Sequence, residues 1–156
     1  MTLDEAVSAA VARLARAQET RIPCEPVRDL IGTDDLDAAY AVQQGLVQAR
    51  IAAGATVVGR KIGATSEAVQ TQLGVDQPDF GYLLDDMDVS DDHPISMRTL
   101  VQPRVEAEVA FVLARDVDEP QITIEGVRDA VEVALPALEI VDSRIADWRI
   151  GFTDTV

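Results

Sequence analysis

The chain has 156 residues, 47% of them hydrophobic and 26% charged, with 13 basic against 28 acidic side chains and a formal net charge of −15. That is enough for one hydrophobic core, and the acidity argues against nucleic acid or an anionic membrane as a partner, because both demand a basic surface. No apolar run approaches the roughly 18 residues that span a bilayer. The opening carries Asp4, Glu5 and Glu19 rather than the basic start and apolar stretch of a secretory leader, so a cytoplasmic protein is expected.

Thr2-Leu3-Asp4-Glu5 has the spacing of a capping box. Val7, Ala10, Val11 and Leu14 then recur at helical spacing, which predicts an amphipathic helix to about Thr20. Pro23 and Pro26 end it. Cys24 lies between them, is the single cysteine and so has no internal disulfide partner, and reads as an ordinary buried or half-buried thiol. Thr33 followed by Asp34 and Asp35 marks a second helix start, with Leu36, Tyr40 and Leu46 as its apolar stripe and Gly54 as its stop.

From Ala55 the pattern turns to β. Thr56-Val57-Val58 enters Gly59-Arg60-Lys61-Ile62-Gly63, where glycines stand on both sides of Lys61; glycine in a strand marks a bend or the close approach of another group. Twelve of the thirteen basic residues are arginine, and Lys61 is the only lysine. Its retention points to a need for an ammonium, whose pKa can be tuned, where a guanidinium would not serve. Thr65 or Ser66 caps a short helix through Leu73. Gly74-Val75-Asp76-Gln77-Pro78-Asp79-Phe80-Gly81 reads as a loop, followed by a strand at Tyr82-Leu83-Leu84. Asp85, Asp86, Asp88, Asp91 and Asp92 lack the central glycine and closing glutamate of a calcium loop, so this acidic stretch reads as a solvated turn. His93 has no second histidine and no nearby cysteine with which to build a zinc site.

Arg104-Val105-Glu106-Ala107-Glu108-Val109-Ala110-Phe111-Val112-Leu113 is the most informative segment. Its apolar character predicts a strand, and the period of two places Glu106 and Glu108 on one face with Ala110 and Val112, while Val105, Ala107, Val109, Phe111 and Leu113 line the other. Two carboxylates about 4 Å apart repel by roughly 4 kcal/mol at an effective dielectric near 20. A helix is predicted from Thr123 to Leu135, then a strand-like run, Pro136 to Arg144, that holds a third carboxylate, Glu139. Ile150 to Val156 reads as the start of another strand or connection, with no closing element after it. Three carboxylates without nitrogen or sulfur ligands make a hard oxygen site suited to Mg²⁺ or Mn²⁺. A cation there could chelate a 2-oxo or 2-hydroxy acid and stabilise an enolate, with a lysine assisting charge or proton movement.

Four segments in order carry a family resemblance: Gly59-Arg60-Lys61-Ile62-Gly63, Gly74 to Gly81, Gln102-Pro103-Arg104-Val105-Glu106-Ala107-Glu108 and Leu135-Pro136-Ala137-Leu138-Glu139. Together they resemble the 2-keto-4-pentenoate (2-hydroxypenta-2,4-dienoate) hydratases of the fumarylacetoacetate hydrolase superfamily, over the span from Thr20 to Val156. The resemblance implies an α+β fold, one structural domain overall. Its helical region, 1–54, is followed by a region, 55–156, that forms the first part of a mixed β-roll or barrel and lacks the remainder.

By the same resemblance Glu106, Glu108 and Glu139 hold the divalent metal, Mg²⁺ or Mn²⁺. Lys61 lies in the active site as proton handler or enolate stabiliser, and Asp79 sits in a loop folded toward the substrate. The implied reaction ketonises a 2-hydroxy-dienoate and adds water to give 4-hydroxy-2-oxopentanoate, in the meta-cleavage catabolism of aromatic compounds. The implied assembly is a homo-oligomer. The 4-oxalocrotonate decarboxylases share the glutamates and the lysine, and Arg60 with Gln77-Pro78-Asp79-Phe80 favours the hydratases. Family chains continue for roughly another hundred residues, a usual domain margin, and Asp154 lies where that continuation begins. A non-catalytic metal-binding fragment is therefore the further alternative.

Overall fold

A computed structural model of the chain describes residues 1–73, 75–90 and 93–155. Gly74, Asp91, Asp92 and Val156, assigned above to loops and to the last connection, lie outside the described residues. The chain divides into two compact units, Met1–Gln102 with Ser143–Val156, and Pro103–Asp142.

The first unit begins with α1 (Leu3–Thr20), whose expected capping box is present: the Glu5 N–H donates to Thr2 Oγ1, and the Thr2 N–H donates to Glu5. A short helix that periodicity does not predict, α2 (Arg28–Ile31), follows the two prolines. Next is α3 (Leu36–Ala52), where Asp35, the last of the three polar residues ahead of it, accepts from the Ala38 N–H at 2.9 Å. The core joins Ala6 and Ala10 of α1 to Ala38, Ala39 and Val42 of α3, with Val27 and Ile31 beside them. The expected stripe of Leu36, Tyr40 and Leu46 is only half-buried. Close helix approach is the reason: a Cβ on Gly45 would stand 2.8 Å from Val11 Cγ2, so small side chains form the seam and larger ones flank it.

In β1 (Val57–Gly63) and β2 (Asp79–Leu84) the unit has an antiparallel pair, linked through α4 (Glu67–Leu73), which starts beyond Ser66. The pair is closed at one end by a reciprocal contact, in which the Asp85 N–H donates to the Thr56 carbonyl and the Asp85 carboxylate accepts from the Thr56 N–H, each at 2.9 Å. Gln43 Nε2 of α3 donates to the Phe80 carbonyl at 2.8 Å. The terminal segment, expected as strand or connection, is instead a single helical turn, α6 (Phe152–Thr155). Asp154 anchors it: its fully buried carboxylate accepts from the N–H groups of Val27, Arg28 and Gly151 and pairs with the Arg28 guanidinium. Four donors on one side chain fix a turn that propensity alone leaves undecided.

The second unit is β3 (Pro103–Leu113), α5 (Ile124–Ala130) and β4 (Val131–Asp142), with β3 and β4 antiparallel. The helix predicted to Leu135 therefore stops five residues early. The β-branched Val131 and Val133 take the strand because they pair with Leu113 and Val112 of β3, a gain that local helix preference cannot match. One face of the ribbon is apolar and open, with Phe111 62% and Leu138 73% exposed. Among the described residues no helix is long and apolar enough to cross a membrane.

Two outcomes follow for the first unit. Asp154→Ala strips one acceptor from three backbone N–H groups and leaves a partly exposed guanidinium unpaired, and urea titration is expected to show a loss of about 2–3 kcal/mol, with a smaller loss in Asp154→Asn. Asp85 is held below its ordinary 3.8 mainly by the Thr56 N–H and then by the Asp86 N–H. A lowered folded-state value means that its stabilisation is present above the unfolded pKa and fades as pH falls through the folded one. The stability gap between the wild type and Asp85→Asn is thus expected to shrink as pH is lowered below about 4, and a gap that widens there contradicts this assignment.

Candidate functional site

The register of β3 on β4 brings the three glutamates together. Glu106 lies opposite Glu139, and Glu108 lies opposite Ala137. Paired residues of an antiparallel ladder share a face, and so do residues two apart on one strand. All three carboxylates therefore project from one side of the ribbon, as the period of two predicts for Glu106 and Glu108. One oxygen from each lies within 4.8 Å of the other two, with Glu106 and Glu108 exposed and Glu139 half-buried. Ala137 and Ala110, on the same face, leave the ground beside the carboxylates low. Such a set of oxygen donors at this spacing fits a hard divalent cation that keeps positions for water or a chelating acid.

Lys61 and Asp79 share a face of the other sheet. Lys61 pairs with Gly81, and Gly63 pairs with Asp79, so the two charged side chains are diagonal neighbours on the side that also carries Gly59. Asp79, expected in a loop, is instead the first residue of β2; its pairing with Gly63 extends the strand past the turn residues Asp76 to Pro78. The glycines make the arrangement possible. A Cβ on Gly63 would stand 2.0 Å from Asp79 Oδ1, whereas a Cβ on Gly81 would meet Lys61 Cβ at 3.7 Å. Gly63 therefore cannot become alanine unless the Asp79 carboxylate moves.

Thr155 of α6 approaches the same carboxylate, with its Oγ1 3.3 Å from Asp79 Oδ2 and 3.0 Å from the Phe152 carbonyl. Sequence reading did not single out Thr155; for Gly63 it expected a bend or the close approach of another group, and the Asp79 carboxylate is that group. Alternation along β1 carried a signal for Gly63, since it places the glycine on the lysine's side, but nothing local connects Thr155 to a residue so far back in the chain.

Cys24 is a half-buried free thiol that joins a short parallel bridge to Ile145. Burial pushes its pKa up, which lowers the thiolate fraction on which nucleophilicity depends. The acidic turn has its own local use, with Asp85 on Thr56 and Asp88 accepting from the Ser90 N–H at 2.9 Å.

No family model matches the chain. It is 49% identical over 158 residues to a TodF product hydratase of Pseudomonas putida F1, an alignment covering 99% of this chain and 59% of that protein. Against a 2-keto-4-pentenoate hydratase of Paraburkholderia xenovorans the identity is 53% over 143 residues, or 92% of this chain and 53% of the relative. Among solved structures it superposes on a 4-oxalocrotonate decarboxylase of Pseudomonas putida G7, complexed with magnesium and adipate, at a TM-score of 0.88 and 26% identity, covering 99% of this chain and 58% of that one. The chain thus spans somewhat more than half the length of the relatives that it matches. With identities near one half sustained across almost all of its residues, the chain is similar to 2-keto-4-pentenoate hydratases over somewhat more than half of their length.

Proposed function

We propose that the chain carries the metal-binding part of a hydratase that adds water to 2-hydroxypenta-2,4-dienoate to give 4-hydroxy-2-oxopentanoate. The observation that carries this reading is the set of Glu106, Glu108 and Glu139 oxygens within 4.8 Å of one another, in a sequence about half identical to named hydratases. Those three carboxylates would hold Mg²⁺ or Mn²⁺; the magnesium in the decarboxylase complex supports a divalent ion. When bound, the ion would supply Lewis acidity toward a carboxylate and the adjacent 2-oxygen.

The remaining work falls to the chain's own groups. Ketonisation moves the proton of the 2-hydroxyl to C5 and leaves 2-oxopent-3-enoate; water then adds at C4 while a proton reaches C3. Lys61 Nζ is assigned the proton movements or the charge that develops on the 2-oxygen, and the half-buried Asp79 carboxylate, its neighbour on the same sheet face, is assigned the orientation of the attacking water. In fold, the reading is an N-terminal helical region, 1–54, and part of a fumarylacetoacetate-hydrolase-like β-roll, 55–156, whose further strands would cover the open apolar face of the β3–β4 ribbon. A cytoplasmic homo-oligomer completes it.

A decarboxylase of the 4-oxalocrotonate type is the second reading, favoured by the solved structure. Sequence identity roughly twice as high to hydratases ranks it behind. The test follows the loss of dienol absorbance by the chain with Mg²⁺ or Mn²⁺. Metal-dependent loss is expected, reduced at least about 100-fold in Lys61→Ala and in Glu106→Ala. Full activity in both variants would sink the assignment, and carbon dioxide release from 2-oxo-3-hexenedioate in place of hydration would establish the decarboxylase.

A further inference from the structure

On the face of the β1–β2 pair opposite Lys61 and Asp79, Arg60 pairs with Tyr82 and Ile62 pairs with Phe80. Here the strands and α3 line a half-open cavity of about 210 Å³, bordered by Tyr40, Gln43, Gln44, Arg60, Phe80, Gly81 and Tyr82. The Arg60 guanidinium lies over the Tyr82 ring, with its carbon 4.2 Å from the ring centroid, and one of its N–H groups donates to the Gly59 carbonyl at 3.1 Å. Stacking and that single bond fix the plane of the fork while leaving other N–H donors for a ligand.

Arg13, Arg28, Arg50, Arg115 and Arg149 each sit against a carboxylate of this acidic chain. Arg60, like Arg16, Arg21, Arg98 and Arg128, forms no such pair with any described residue, and it alone of these lines this cavity. A preorganised guanidinium in a concavity, with amide and phenol groups around it and aromatic walls, has the composition of a carboxylate-binding pocket. Its volume is below the roughly 300–1,000 Å³ of drug-sized pockets, and the flat walls of Tyr82 and Phe80 select for planarity.

We propose that this cavity is a second ligand site, separate from the three glutamates, that binds a small planar monocarboxylate with its carboxylate on Arg60 and its unsaturated carbons against Tyr82 and Phe80. The site does not depend on the hydratase reading. It is tested with sorbate, a conjugated dienoate, titrated into the ¹⁵N-labelled chain in the presence of EDTA, so that no metal recruits the acid elsewhere. Saturable shifts are expected at the Arg60 Nε–H and at the amides of Gln43, Gln44, Phe80, Gly81 and Tyr82, with none from the uncharged sorbyl alcohol.

Arg60→Gln and Arg60→Lys are each expected to weaken binding at least tenfold, the lysine variant because it keeps the charge and loses the fork, while Glu106→Gln leaves binding unchanged. Dispersed spectra of the Arg60 variants certify folding, and Gln44→Ala, altering an exposed side chain at the rim, provides a milder variant expected to weaken binding several-fold. Absence of shifts at tens of millimolar sorbate, shifts confined to other residues, or wild-type affinity in both Arg60 variants overturns the proposal.

Discussion

The register of β3 against β4 is the constraint on which the candidate metal centre depends. With Glu106 opposite Glu139, three carboxylates meet on one face; a slip of one residue on either strand would send that strand's glutamates to the other side. Like charges directly opposite one another in a ladder are unfavourable, so the register is set by the rest of the ribbon. Ten further residue pairs, from Pro103 with Asp142 to Leu113 with Val131, hold it, and the only irregularity falls between Val112 and Leu113, away from the carboxylates. Electrostatic cost is concentrated where a cation would relieve it, and backbone pairing along the strands supplies the restraint.

A parallel economy governs the other sheet. Glycine recurs along one face of β1 and β2, so Lys61 lies opposite Gly81 and Asp79 opposite Gly63, with no side chain directly across the ladder from either. At Gly63 this is a matter of space, because the Asp79 carboxylate occupies the place of a Cβ. The opposite face is built from Arg60, Ile62, Phe80 and Tyr82 and turns aromatic. One pair of strands thus presents an ammonium and a carboxylate on one side and a stacked guanidinium on the other.

Much of this was legible in the residues. Alternation alone placed Glu106 and Glu108 on a common face, and the change of pattern from Ala55 anticipated the strand β1 around the solitary lysine. What local patterns missed was decided by distant partners. Val131 to Leu135 look helical until β3 supplies a ladder, and Asp79 looks like a loop residue until Gly63 pairs with it. Thr153 to Thr155 look extended until the N–H groups of Val27 and Arg28 find the Asp154 carboxylate. In each case the deciding interaction joins positions well separated along the chain, which periodicity cannot see. The identity of α3's buried face failed for a related reason, since the depth of helix contact depends on Gly45 meeting Val11 across two helices.

The most direct test is Mn²⁺ binding to the chain, followed by calorimetry and by electron paramagnetic resonance, in the wild type and in Glu106→Gln, Glu108→Gln and Glu139→Gln. One tight ion per chain is expected in the wild type, with affinity reduced at least tenfold in each variant, because each glutamate would supply one oxygen to the same site. Unchanged affinity in Glu139→Gln, or several weak ions that respond instead to Asp85→Asn and Asp88→Asn, would contradict a single site built on the β3–β4 register.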